Sequence, residues 1–116
     1  LMQHLLALFD GSLAQQKMEI SNKTACTVMM VSGGYPEQYE KGKEIKGIKE
    51  ITGAEVYHCG TKMLHGKLLT NGGRVLCVTS LEETLQKALQ KSYSELEKVS
   101  FEGSYYRKDI GSDLQN

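Results

Sequence analysis

The sequence lacks net charge, paired cysteines, long apolar runs and, apart from Pro36, proline. Its 14 basic and 14 acidic side chains cancel, so no long-range field draws in nucleic acid or an anionic membrane. Any anion recognised is held by a few local groups, which favours a small-molecule site over a polymer track. No apolar run approaches the ~18 residues that a membrane span needs. Cys26, Cys59 and Cys77 form no CxxC pair and no secretory signal precedes them. Flanked by apolar or small residues, they read as three reduced, buried thiols of a cytoplasmic protein. There is no repeat, low-complexity segment or internal linker, and 116 residues at 40% hydrophobic content supply one core rather than two.

What is present reads as alternating helix and strand. Leu1, Leu5, Leu8 and Phe9 fall at helical spacing, in a helix expected to break near Asp10–Gly11 or shortly after Leu13. The chain starts inside this pattern, as if cut from a longer protein. Thr24–Val31 reads as a strand whose run Val28-Met29-Met30-Val31 suits coverage on both faces. Gly33-Gly34-Tyr35-Pro36 ends it. Glu37–Glu50 is a charged loop with a short strand or turn about Glu44–Ile48, and Ala54–Cys59, Lys67–Thr70 and Arg74–Thr79 read as strands. Asn71-Gly72-Gly73 predicts a hairpin between the last two. Ser80 with Glu83 forms a capping box for a long helix whose stripe is Leu81, Leu85, Ala88, Leu89, Tyr93, Leu96 and Val99. Ser104–Lys108 is a final extended piece. The predicted class is α+β, a small and mainly antiparallel sheet with the long helix packed on it.

Three glycine turns carry basic or hydroxyl neighbours. They are Ser32–Pro36 followed by Tyr39 and Lys41-Gly42, His58-Cys59-Gly60-Thr61-Lys62, and Asn71-Gly72-Gly73-Arg74. Turn amides unobstructed by Cβ make an anion nest, and lysine and arginine add charge. Taken singly, each is equally an ordinary chain reversal. No phosphate loop of the Gly-x4-Gly-Lys-Ser/Thr type is present. Alternation places Val56, His58 and Gly60 on one strand face and Tyr57 and Cys59 on the other. His58 is a candidate general base or metal ligand, or a ring that orders the neighbouring turn, and its nearby cysteines lack zinc-ligand spacing. His4 and His65 read as surface residues. Arg107, Lys108 and Asp109 are functional, or tie the last strand to the core by an ion pair.

At these residues the sequence resembles a family. Ser32–Pro36 with Tyr39, Lys41 and Gly42 is similar to the GGYP-x-x-Y-x-x-G signature of phosphoribosylamine–glycine ligases. His58–Thr61 resembles their H-A-G-T with cysteine in place of alanine, Gly72–Thr79 their GGRVL-x-VTA, and Tyr106–Gly111 their YR-x-DIG. The resemblance implies the C-terminal domain of an ATP-grasp enzyme, of the rudimentary hybrid-motif type, over residues 16–116. Residues 1–15 would then be the helix that closes the preceding ATP-grasp region. It implies an enzyme of purine biosynthesis that joins glycine to 5-phosphoribosylamine, with ATP and Mg (or Mn) used by the full-length protein. The family's upstream N-x-R-x-GDPE carboxylates have no match here, so this chain is expected to bind no cofactor, hold no metal and carry no catalytic residue by itself. By analogy with related enzymes, Arg74, Thr61, Gly72, Gly73 and Lys41 hold the substrate phosphate while Gly33, Gly34 and Tyr35 shape the cleft. The implied partners are 5-phosphoribosylamine and the rest of the ligase chain. The parent could be monofunctional or multifunctional; the rival is a detached, non-catalytic ligand-binding or interaction module of the same fold.

Overall fold

The computed structural model describes residues 1–114. Its centre is a pair of long strands, β1 (Thr24–Ser32) and β5 (Arg74–Glu82), antiparallel with Thr24 opposite Glu82 and Met30 opposite Leu76. β2 (Glu55–His58) borders β5 with Val56 opposite Val78, and β6 (Ser104–Tyr106) borders β1 with Met30 opposite Tyr106. The sheet order is therefore β2-β5-β1-β6. A separate hairpin of β3 (Thr61–Leu64) and β4 (Lys67–Thr70) stands beside it. The long helix α2 (Leu85–Leu96) lies across β1 and β5. The fold is α+β, as the order of elements predicts.

The core lies between α2 and one sheet face. Val28, Met30, Leu76 and Val78 meet Ala88, Leu89 and Leu96 there, and all are buried. The other face is open: Met29 and Val31 are only half-buried, Ala25 and Thr27 are exposed, and Leu81 and Tyr57 project outward at 51% and 55% exposure. The expectation that β1 is covered on both faces is thus not met, because α2 covers one side alone. Two buried serines join helix to sheet. Ser92 Oγ accepts from the Ser80 N–H at 3.1 Å and donates to the Cys26 carbonyl at 2.7 Å, and Ser80 Oγ donates to the Ala88 carbonyl at 2.6 Å. The two hydroxyl oxygens also lie 2.6 Å apart, so the pair forms one buried hydrogen-bonded network.

That role for Ser80 displaces the expected capping box. β5 runs on to Glu82 because β1 continues to pair with it, leaving Leu81 on the strand rather than on the helix stripe. Thr84 becomes the N-cap, its side chain accepting from the Lys87 N–H at 3.3 Å. The hairpin expected across Asn71–Gly73 is also absent. β4 pairs with β3, and β5 with β1 and β2, so this segment is a corner between two sheets. The actual tight turn is His65-Gly66, with φ of 49° and 76°, the pair of positive values that a two-residue hairpin favours. The charged loop contributes isolated bridges, Glu44 opposite Leu69 and Lys46 opposite Ser100, before a 3-10 turn at Ile48–Glu50.

α1 (Met2–Asp10) ends where expected, at Gly11 with φ 76°. It packs chiefly on the following turn, Leu13–Gln15, and buries only Ala7. His4 is half-buried rather than on the surface, with Nε2 3.3 Å from the Lys17 carbonyl. The radius of gyration is 17.2 Å, against about 13 Å for a compact chain of 100 residues, as a projecting arm requires. Among the described residues no helix is long and apolar enough to cross a membrane.

Candidate functional site

The three glycine turns singled out by the sequence are bonded to one another. Ser32, at the end of β1, donates its N–H to the Gly73 carbonyl at 2.8 Å and its hydroxyl to the Gly72 carbonyl at 2.9 Å. Asn71 N–H reaches the Gly60 carbonyl at 2.7 Å, which joins the corner to the turn after β2. The Gly42 N–H donates to the Thr70 carbonyl at 2.7 Å, and Lys43 N–H to Thr70 Oγ1 at 3.0 Å. Four segments distant in sequence therefore share one knot. These bonds also explain the corner, since Asn71–Gly73 is engaged with β1 and the Gly60 turn, not with a β4–β5 ladder.

Glycine is required at this knot for space. A Cβ on Gly60 would lie 2.6 Å from the Arg74 carbonyl and 2.8 Å from Gly72 Cα. A Cβ on Gly73 would overlap the Tyr35 ring. Tyr35 is itself supported by Tyr39, with ring centroids 6.0 Å apart at 60°, a tilted arrangement that aromatic pairs favour. Gly34 has φ 92°, a conformation that side-chain-bearing residues rarely adopt. The first turn thus places an aromatic ring over the third.

The carbonyls of this knot are used and its donors are free. Among the described residues, the N–H groups of Gly33, Gly34, Gly72 and Gly73 donate to no protein acceptor, although Gly73 is buried. Backbone amides without a protein partner are open to an acceptor from outside the chain. Arg74 adjoins it, exposed, and no carboxylate of the described residues lies within ion-pair distance of its guanidinium. Thr61 is half-buried, its Oγ1 3.1 Å from His58 Nδ1. The His58 ring thereby orders the turn. Unpaired amides, an unneutralised guanidinium and a hydroxyl suit an oxyanion.

The lysines divide. Lys41 is exposed and free of ion pairs among the described residues. Lys43 is spent on Glu40 at 2.8 Å and Glu102 at 3.0 Å, and its hydrogen bonds to Glu40 and then Glu102 push its ammonium pKa up. Ser32 belongs to the first motif, but its part in tying that motif to the third emerges only in the fold. A strand-end serine carries no pattern that announces a partner 40 positions away. Beside the His58 turn, a cleft of about 560 Å³ is lined by His58, Met63, Leu68, Ile48, Lys49 and Lys67.

Two expectations are corrected. Cys59 is exposed, unlike Cys26 and Cys77, because it lies just past the end of the edge strand β2, whereas Cys77 sits on the central strand β5. The Arg107–Asp109 pair, 2.6 Å long, is local and exposed, so it does not hold the last strand to the core. Tyr93 does: its hydroxyl donates to the Arg107 carbonyl at 2.7 Å and accepts from the Ile110 N–H at 3.2 Å. Among the described residues no group of three or more His, Cys, Asp or Glu side chains is arranged to hold a metal ion.

Residues 25–113 match the profile of a family described as Phosphoribosylglycinamide synthetase, C domain. The chain is 45% identical over 106 residues to the phosphoribosylamine–glycine ligase of Caldanaerobacter subterraneus subsp. tengcongensis, covering 91% of this chain and 25% of that protein. It is 49% identical over 94 residues to the human trifunctional purine biosynthetic protein adenosine-3, covering 79% of this chain and 9% of that one. The crystal structure of the Thermotoga maritima phosphoribosylamine–glycine ligase superposes with a TM-score of 0.75 at 37% identity, over 92% of this chain and 27% of that one. The chain thus spans about a quarter of the length of the single-function ligases that it matches.

Proposed function

Because the chain belongs to the phosphoribosylglycinamide synthetase C-domain family, we propose that it serves as the C-terminal domain of a ligase joining glycine to 5-phosphoribosylamine. Within that enzyme it forms the wall that grips the phosphate of the sugar amine. The observation that carries this reading is the group of unpaired Gly72 and Gly73 amides beside Arg74, which no carboxylate of the described residues neutralises. Arg74 supplies the planar fork, Thr61 a hydroxyl and Lys41 a further charge. Gly33, Gly34 and Tyr35 shape the cleft by setting the ring over Gly73. ATP and its metal ion belong to the remainder of the ligase, since the donors assembled here suit an anion and not a divalent cation. The chain alone therefore carries no turnover, and glycine-dependent ADP release by it would contradict this.

The arm made by residues 1–15 belongs, in this reading, to the preceding ATP-grasp region. Leu1 and Phe9 are 90% and 92% exposed, and Leu6 and Leu8 are exposed beside them. Such an apolar surface marks an interface and favours a domain of a larger enzyme over a self-sufficient module. The test of the site is Arg74→Ala in the full-length ligase. Loss of a charge-assisted pair costs about 2 kcal/mol, or on the order of 30-fold. KM for phosphoribosylamine should rise by that factor, with the constants for ATP and glycine unchanged. Equal KM values in the two proteins would remove Arg74 from the site.

A further inference from the structure

The open face of the sheet carries two thiols that the proposed ligase chemistry does not use. Cys77 lies on β5 directly opposite Tyr57 of β2, and Cys59 follows Tyr57 by two residues. Side chains two apart share a face, so Cys59 and Cys77 are diagonal neighbours on adjacent strands. Their environments differ: Cys59 is exposed, whereas Cys77 is buried at 8% exposure. Burial, with the neighbouring Cys59 thiol, pushes the Cys77 thiol pKa up, while Cys59 Sγ itself donates to the Tyr57 carbonyl at 3.9 Å. The third thiol, Cys26, is buried on the helix-covered face.

We propose that Cys59 and Cys77 form a thiol–disulfide exchange site for small disulfides of the glutathione type, with exposed Cys59 as the attacking residue and buried Cys77 as the resolving one. The Cys59 thiolate attacks one sulfur of the oxidised tripeptide. The S–S bond breaks, and the departing thiolate takes up the proton that Cys59 released. Cys77 then gives up its proton and attacks the Cys59 sulfur of the mixed disulfide, expelling the second glutathione as a thiol. Two protein thiols are oxidised to one disulfide while one small disulfide is reduced to two thiols. Thiolate is the reactive form, so the buried Cys77 makes the second step the slower.

The geometry asks for a small local movement. Diagonal partners on a sheet face lie roughly 7–8 Å apart at Cα, and a disulfide needs about 4.4–6.8 Å. The end of β2 is where the chain can yield. β2 is an edge strand, and there the N–H groups of Cys59 and Gly60 both donate to the Val75 carbonyl at 3.0 Å, the doubled bonding of a bulge. Closure would tie the His58–Thr61 turn to β5.

The test is incubation of the folded protein with oxidised glutathione, followed by intact-mass analysis and peptide mapping after alkylation of free thiols. The expected sequence is a transient adduct of one glutathione on Cys59, then loss of the mass of two hydrogens relative to the reduced protein, with a Cys59–Cys77 crosslinked peptide and alkylated Cys26. Cys77→Ala should stop at the Cys59 adduct, and Cys59→Ser should give neither adduct nor crosslink. A stable Cys59 adduct in the unsubstituted protein with Cys77 still alkylatable would overturn the proposal, as would unreacted Cys59. The readout is chemical, so its failure leaves the phosphate-site reading untouched.

Discussion

Replacing Glu95 measures how firmly the segment before β2 is held to α2. Glu95 lies in the last turn of α2 with 6% of its side chain exposed. Oε2 accepts from Lys98 Nζ at 2.8 Å and from the Thr52 N–H at 3.2 Å, while Oε1 faces Lys91 Nζ at 3.8 Å. A charge-assisted hydrogen bond shielded from water contributes about 1.5–3 kcal/mol. The lysines, however, are 35% and 37% exposed, so solvent screening leaves each pair at about 1 kcal/mol or less. Glu95→Gln retains an acceptor for Thr52 and should cost about 1 kcal/mol. Glu95→Ala also strands the Thr52 N–H, for a total of about 2–3 kcal/mol. Urea unfolding at near-neutral pH should show these losses as shifts of midpoint at constant slope.

The pH dependence supplies the sharper check. The Lys98 hydrogen bond, aided by the Thr52 N–H and the two lysine charges, holds the Glu95 carboxyl below its ordinary value of 4.5 despite the opposing effect of desolvation. The folded state therefore binds the proton less readily than the unfolded state. Its stabilising contribution is fully present above the unfolded value and is lost as pH falls through the folded one. The stability gap between the unsubstituted chain and Glu95→Gln should thus shrink on acidification through the carboxylate range. A gap of the same size at neutral pH and at about pH 3 would refute the reasoning.

Other substitutions separate the remaining contributions. Gly73→Ala forces a methyl group into the Tyr35 ring and should cost about 1–3 kcal/mol; adding Tyr35→Ala should recover part of it, as a double-mutant cycle in denaturant would read. Thr84→Ala should cost about 1 kcal/mol as loss of the true cap, and Glu83→Ala should stay within about 0.5 kcal/mol, the reverse of what a Ser80–Glu83 capping box requires. Leu6→Glu and Phe9→Glu should leave thermal unfolding of this chain within about 0.5 kcal/mol of the original. In the full-length ligase the same two changes should lower both solubility and activity if the arm packs against the remaining domains.

Much of the knot was legible residue by residue. The glycines, Tyr35, Thr61 and Arg74 stand out because each carries a local chemical property: missing Cβ, aromatic surface, hydroxyl or fixed charge. Their mutual bonding was not legible, because Ser32 to Gly72 spans three intervening strands and Asn71 to Gly60 closes the whole β3–β4 hairpin. Cys59 illustrates the limit in one residue. Its apolar and small neighbours suggest burial, yet its exposure follows from lying past the end of an edge strand, which local pattern cannot report.

The sequence by itself determined the periodic elements and the places where glycine must interrupt them. Apolar spacing specified α1 and most of α2, β-branched runs specified β1 and β5, and the four motifs identified the family. Tertiary structure decided where those elements stop and what they touch. Pairing with β1 carried β5 through Ser80 to Glu82, overriding a local capping pattern worth about 1 kcal/mol because a continued ladder satisfies several backbone groups at once. The same competition turned Asn71–Gly73 from a hairpin into a corner, where the Gly72 and Gly73 carbonyls are taken by Ser32.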